Sequence, residues 1–330
     1  MKACKLGNEL TVSSIGFGCM GLSHAYGVAL EKDTAIRRIH EAFEKGYTFF
    51  DTAEVYVGQY ADGSPAVNEE LVGEALRPIR DNVVIATKGG IRWGNEHQTI
   101  PDASPASLRR SLENSLKRMG VETIDLYYQH RIDPKVAPEE VAEVMAGLIR
   151  EGKILHWGIS EATEEYLRRA HRVCPVAAIQ NRFSMMARWH EALLPVCEEL
   201  GIGFVAHSPL ANGLLTNRYT AGMAFDPVTD YRASMPQYRP ESFEKNRALF
   251  SLLERLADRY RATASQISLA WMMNKRPPIV PIPGTRRLFR LKENIGAADI
   301  HLTGEEVRAI DMALESMEMS EVFGGSSIKR

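Results

Sequence analysis

Short runs of β-branched and aromatic residues alternate with amphipathic stretches along almost the whole chain, the pattern of strand and helix in turn. Ala3–Leu6 and Leu10–Val12 flank Gly7-Asn8 and predict a tight hairpin. Eight further strands are predicted at Ser14–Gly18, Tyr47–Asp51, Val83–Thr87, Ile124–Tyr128, Ile154–Ile159, Ala177–Ile179, Gly203–Ala206 and Ile279–Ile282. Between and after them lie helical patterns. The first opens at the N-cap candidate Asp33 and runs to Lys45, where Gly46 stops it. Asn68–Leu76 ends before Pro78, and a third helix runs from Ser104, with Pro105 at its first position, to near Gly120. Pro138–Arg150, Thr163–His171, Arg188–Leu200, Phe243–Arg259, Ser265–Asn274, Leu288–Gly296 and Thr303–Leu314 complete the set, and a Gly/Ser tail follows. Leu210 to Pro240 shows no period, and so long an irregular stretch in a compact fold predicts a lid or binding loop. No linker rich in Pro, Gly or Ser divides the chain. The expectation is one α/β domain over residues 1–330: a (β/α)8 TIM barrel with an N-terminal β-hairpin and extra C-terminal helices. An open doubly wound sheet is the alternative.

Three of the apolar runs end on polar side chains that suit no core: Asp51 with Tyr56 after it, Lys88, and His130. In a parallel barrel the strand C-termini converge on one face, where such residues read as catalytic. A phenol, with a reference pKa of about 10, is a poor acid at neutral pH. An ammonium beside it favours the phenolate, and a carboxylate keeps that ammonium charged and in place. Taken singly, each residue has a structural explanation, as a surface tyrosine, a solvated lysine, a loop histidine or an N-capping aspartate. In order, and each at a strand end, they describe a proton donor for carbonyl reduction.

Gly16, Gly18 and Gly21 match G-x-G-x-x-G, yet about a dozen loop-like residues separate Gly21 from the next helix. A dinucleotide-binding turn needs that helix at once, so the glycines read as a strand-end turn. Net charge of −2 makes no electrostatic case for nucleic acid or an anionic membrane. The four cysteines are far apart and read as free thiols in a reducing compartment. No H-x-H or H-E-x-x-H spacing suggests a metal. No run approaches the roughly 20 apolar residues of a membrane span, and the start lacks a signal peptide's apolar stretch. The expected location is cytoplasmic.

DTAEVY at 51–56, NEELVGEAL at 68–76, TKGG at 87–90, IDLYYQHRID at 124–133 and WGIS at 157–160 resemble the aldo-keto reductases. So do Gln180-Asn181, HSPLANGLLT at 207–216 and IPGTRRLFRLKENIGA at 282–297. The nearest branch is similar to the bacterial general reductases that also resemble potassium-channel β subunits. The resemblance implies Tyr56 as general acid, Lys88 as the group that tunes it, Asp51 as the partner of Lys88, and His130 as the residue orienting the carbonyl. It implies that Ser160 and Gln180 hold a nicotinamide carboxamide with Asn181 nearby. Ser208 and Leu210 would meet the pyrophosphate, and Gly284, Thr285, Arg286, Arg290, Glu293 and Asn294 the adenosine end. Arginines suit a 2′-phosphate, which argues for NADPH. Two departures stand out. His207 occupies the place of the usual nicotinamide-stacking aromatic, and the loop after Tyr56 is long and carries a rival phenol, Tyr60. Tyr26, Trp93 and Phe323 are candidates to line the substrate pocket. The implied partner is a small carbonyl compound. A cofactor-binding module that contacts another protein is the alternative, and a phosphate-binding isomerase or lyase has only the fold in its favour. Substrate identity and oligomeric state have no readable code.

Overall fold

A computed structural model describes residues 2–93, 99–275, 277–324 and 328–329. Eight parallel strands form its centre: β1 (Phe17–Gly18), β2 (Phe49–Asp51), β3 (Val84–Gly89), β4 (Ile124–Gln129), β5 (Ile154–Ser160), β6 (Ala178–Arg182), β7 (Gly203–His207) and β8 (Ile279–Pro281). They pair in sequence order from β1 to β8. The Gly16 N–H donates to Pro281 O at 2.9 Å and draws the two edges together. The result is the (β/α)8 barrel.

Alternation along each strand sends every second side chain inward. Phe49, Ala86, Leu126, Tyr128, Ala178, Val205 and Val280 therefore share one interior cluster with Leu6, Leu10 and Val12. Those last three belong to the antiparallel hairpin Ala3–Leu6 with Leu10–Ser13, which plugs the N-terminal end of the barrel. The opposite side chains, among them Phe50, Ile85, Tyr127, Ile159 and Phe204, join the layer of apolar residues beneath the helices. With its bottom plugged and its middle filled, the barrel leaves the C-terminal ends of its strands as the face where such a fold takes ligands.

Several expectations need correction. The first helix is Lys32–Glu44, and Asp33 lies inside its first turn rather than capping it; there its charge complements the helix dipole. The predicted Arg188–Leu200 helix starts only at Leu194, because Pro195 suits the first turn and would break an interior one. Phe243–Arg259 is two helices, Pro240–Lys245 and Arg247–Tyr260, parted at buried Asn246. The side chain of Asn246 donates to Ser320 Oγ at 2.9 Å and accepts from Ser320 N at 3.0 Å. Two hairpins lie outside the predicted elements, Val57–Gln59 with Pro65–Val67 and Ile91–Trp93 with Thr99–Pro101. The Gly-rich turn, as expected, opens no helix directly and leads only into a short 3-10 turn, Met20–Leu22. A Cβ on Gly18 would lie 2.6 Å from Ile282 O, so this glycine serves barrel closure. Residues 325–327 of the expected tail lie outside the described residues.

Candidate active site

The centre of the open end is a buried ion pair. Asp51 ends β2 and Lys88 sits near the end of β3; Lys88 Nζ donates to Asp51 Oδ1 at 2.6 Å and to Thr52 O at 2.8 Å. Gln180 Nε2, from β6 across the barrel, donates to Asp51 Oδ2 at 2.7 Å. Burial alone would lower the lysine's pKa, but Asp51 and the Tyr56 hydroxyl outweigh it and hold Lys88 above its ordinary value. Burial pushes the Asp51 carboxyl up, with Lys88 and Gln180 pulling the other way. The ammonium is thus held protonated in a site that water does not reach.

The two polar residues that open the Asn68–Leu76 helix brace this pair from behind. Asn68 Oδ1 accepts from Thr52 Oγ1 at 2.7 Å, and its Nδ2 donates to Cys19 O at 3.0 Å and Ser23 Oγ at 2.7 Å. Buried Glu69 accepts from Thr87 Oγ1 at 2.5 Å and from Arg118 Nε at 2.6 Å. Thr52 follows Asp51 and Thr87 precedes Lys88, so both strand ends are fixed by satisfied buried bonds. The sequence motif NEELVGEAL carried these two residues without revealing this role.

Tyr56 stands above the pair, its ring centroid 5.3 Å from Lys88 Nζ. The His130 ring meets it edge-on at 6.0 Å. Burial, followed by the charges of Arg131 and Lys88, pushes His130 well below the usual histidine value, so it is a neutral imidazole able to donate one N–H. Its Nδ1 is buried with no partner among the described residues. The His24 ring lies nearly parallel to Tyr56 at 6.0 Å, and its Nε2 is 3.1 Å from the Tyr231 hydroxyl. Tyr60, the rival phenol, belongs to the hairpin beside Tyr56, and its charged neighbours are Lys32, Glu31, Glu70 and Glu74. None of these belongs to the site.

Ser160 and Gln180 face each other in register at the ends of β5 and β6. Asn181 does not join them: its amide spans the backbone of Ala162, accepting from N and donating to O, both at 3.0 Å. Glu161, absent from the expected set, has a φ of 56° and a half-buried carboxylate. It receives His207 Nε2 at 2.7 Å, His190 Nε2 at 3.3 Å and Arg182 N at 2.9 Å. Burial opposes its charge, yet the two histidines and Arg131 hold it well below the usual carboxylate range. Burial pushes His207 down to about 4. His207 is therefore neutral with its proton on Nε2, and its Nδ1 is 3.3 Å from Ser208 Oγ. The only advance sign of Glu161 was its place directly after WGIS.

Beyond β7 the backbone turns sharply, with positive φ at Ser208, Ala211 and Asn212, while Leu210 O accepts from Gly213 N at 2.8 Å. Such strained stretches gather at ligand clamps. At the far end, Arg286 is engaged with the loop after β1, donating to Gly21 O at 2.5 Å, Val28 O at 2.8 Å and Gly27 O at 3.4 Å. Gly284 lies against Gly18 O, which is 2.6 Å from where its Cβ would be. The Thr285 hydroxyl accepts from Arg287 N at 3.1 Å, and Asn294 is buried. Arg290 pairs with Glu293. Phe289, 47% exposed, lies between the guanidiniums of Arg290 at 5.2 Å and Arg218 at 5.9 Å. Hydroxyls and amides at the barrel mouth, with arginines beside an exposed ring at the far end, suit an elongated ligand with an amide at one end and phosphates at the other.

Tyr26 and Phe323 converge on one spot. The Tyr26 hydroxyl accepts from Asn212 Nδ2 at 2.8 Å, Phe323 N donates to Gln237 Oε1 at 3.0 Å, and the Arg182 guanidinium lies 5.7 Å from the Phe323 ring. The side chain of Trp93 lies outside the described residues. Among the described residues no group of three or more His, Cys, Asp and Glu could hold a metal ion, and no helix is long and apolar enough to cross a membrane.

Comparison with known proteins agrees with this architecture. Residues 14–315 match the Aldo/keto reductase family. The chain is 40% identical over 324 residues to Probable aldo-keto reductase 1 of Glycine max, covering 97% of this chain and 90% of that protein. It is 37% identical to Aldo-keto reductase str7 of Strobilurus tenacellus, covering 96% and 92%. Among solved structures, the glycerol dehydrogenase AKR11B4 of Gluconobacter oxydans superposes with a TM-score of 0.82 at 29% identity, over 96% of this chain and 95% of that one.

Proposed function

The chain belongs to the aldo/keto reductase family, and from that premise we propose that it reduces aldehydes or ketones to alcohols with NADPH, Tyr56 serving as the proton donor. The observation that carries this reading is the buried Lys88–Asp51 pair set against Tyr56 and His130 at the open end of the barrel. NADPH, when bound, supplies the hydride that goes to the carbonyl carbon. Negative charge then builds on the carbonyl oxygen, and donors placed there in advance lower the barrier. The Tyr56 hydroxyl and the neutral His130 imidazole are those donors. Tyr56 passes its proton to the oxygen, and the Lys88 ammonium stabilises the phenolate left behind. Asp51, fixed by Gln180, keeps that ammonium in place.

Ser160 and Gln180 would hold the carboxamide, with His207 beside the ring, and Ser208 with the strained backbone to Leu210 the pyrophosphate. Since Arg286 is spent on the loop after β1, Arg290 is the better reader of the 2′-phosphate, with Arg218 close by. The intact Asp51–Tyr56–Lys88–His130 set supports catalysis rather than a pure binding module. Four free thiols suit a reducing compartment, and we place the protein in the cytoplasm. A panel of aldehydes and ketones assayed in parallel with NADPH and NADH tests the reading. NADPH should be preferred, and Arg290→Ala should cost about ten- to a hundredfold in NADPH affinity, the value of a charge-assisted bond, with little change for NADH. Preference for NADH in the wild type would overturn the phosphate assignment.

A further inference from the structure

Three cations are buried among the described residues: Lys88, Lys275 and Arg182. Lys88 is paired with Asp51. Lys275 is paired with Glu191 and with Asp311, the latter at 2.9 Å. Arg182, only 2% exposed, has no ion pair within 4 Å among the described residues. Its guanidinium has five N–H donors, and among the described residues the one acceptor in reach is the neutral amide oxygen of Asn212 at 3.2 Å. Its Nε is buried with no partner among the described residues. Burial lowers its pKa to about 10, which still leaves it charged at neutral pH. A buried charge without a counter-charge is costly unless something else meets it.

The position of Arg182 says what could meet it. It lies two residues after Gln180 on β6, so both side chains point into the barrel mouth, and it is opposite His207 in register. Its cover is made of loops rather than core. Asn212 links it to the Tyr26 hydroxyl, and the Phe323 ring lies beside it. Glu161, the acid whose charge acts on Arg182, already accepts from His207, His190 and the Arg182 backbone. Arg131 adds a second positive charge to the same face, with Nη1 3.3 Å from Ser160 Oγ. A single bond to a neutral amide does not require a guanidinium, whereas a carboxylate fits its fork at two points.

We propose that Arg182 receives the anionic end of the substrate, so that the preferred carbonyl compounds carry a carboxylate in addition to the reacting aldehyde or ketone. The inference rests on the carbonyl-reductase reading above. The other source of such an anion is the cofactor's pyrophosphate, since Asn212 follows closely on Ser208 and Leu210.

Matched pairs test the substrate source directly: butanal against 4-oxobutanoate, and benzaldehyde against its 2- and 4-carboxy derivatives, each with NADPH. In the wild type the acid member of at least one pair should have a kcat/KM about ten- to a hundredfold higher, expressed mainly in KM, as a charge-assisted bond would give. In Arg182→Gln that ratio should collapse toward one, and in Arg182→Lys it should survive in part. If neither variant folds, wild-type inhibition decides: benzoate should compete with benzaldehyde at least tenfold better than benzamide. Equal kcat/KM within every wild-type pair, or a ratio that Arg182→Gln leaves standing, overturns the proposal. NADPH affinity measured by fluorescence separates the sources. A tenfold weaker NADPH with all aldehydes falling alike would hand Arg182 to the cofactor's phosphates. Turnover of neutral but not acidic aldehydes would overturn this inference alone, while failure to reduce any carbonyl compound would overturn the enzymatic reading with it.

Discussion

Replacing Lys88 with methionine keeps the length of the side chain and removes its charge from a position that is 1% exposed. Asp51 then loses its 2.6 Å partner and keeps the Gln180 bond at 2.7 Å. Stranding one member of a buried pair typically costs about 3–5 kcal/mol, a large share of a domain's net stability. The loss should depend on pH. Burial already raises the Asp51 carboxyl, and without the ammonium it rises further. The folded variant then holds a proton at pH values where the unfolded chain, with a carboxyl near 3.9, has released it. Stability therefore falls as pH rises from that value through the folded one. Urea unfolding at pH 5 and pH 8 should show the smaller deficit at pH 5. Adding Asp51→Asn should restore about 2 kcal/mol or more at pH 8 and should not restore turnover, because the group stabilising the phenolate is still missing. Equal deficits at the two pH values, or a double variant no more stable than the single one, would refute the ion-pair account.

Two further substitutions probe the surroundings. His207→Phe removes the 2.7 Å bond to Glu161. Because burial holds His207 at about 4 while an unfolded histidine titrates near 6.5, the unfolded wild type takes up the proton first, and stability drops as pH falls through that window. The variant should lose this part of the acid sensitivity in urea midpoints between pH 7 and pH 4.5 and should show altered NADPH affinity; an unchanged slope means that His207 does not titrate in this way. Asn68→Ala leaves Thr52 Oγ1, Cys19 O and Ser23 Oγ without this partner, which at about 1–3 kcal/mol for a stranded buried group should lower stability by about 2–4 kcal/mol. A loss below about 1 kcal/mol in chemical denaturation would mean that water replaces the amide.

The parts of this fold that sequence reveals are those decided by neighbours along the chain. The helices Asn68–Leu76, Pro138–Arg150 and Leu288–Gly296 begin and end where read, and the polar residues at the ends of β2 and β3, with His130 just past β4, gather at one end as the alternation implies. What stayed hidden depends on partners far away. The break at Asn246 is made by Ser320, 74 residues on. Arg286 is held by carbonyls more than 250 residues earlier. Asn181 shares the QN motif with Gln180, yet strand alternation sends it outward to Ala162. Glu161 and Arg182 stand directly beside recognised motifs, and only the pairing of β5, β6 and β7 shows that they meet.

The claim that Tyr56 is the proton donor is tested most directly by Tyr56→Phe, which deletes one hydroxyl and leaves the ring between His24 and His130. NADPH consumption with a good aldehyde substrate and NADPH binding by fluorescence are measured on the same preparation. Turnover should fall by about 10²–10⁴, the usual contribution of a positioned acid, with the dissociation constant changed by less than about threefold. Turnover close to the wild type, or its loss in Tyr60→Phe instead, would contradict the account.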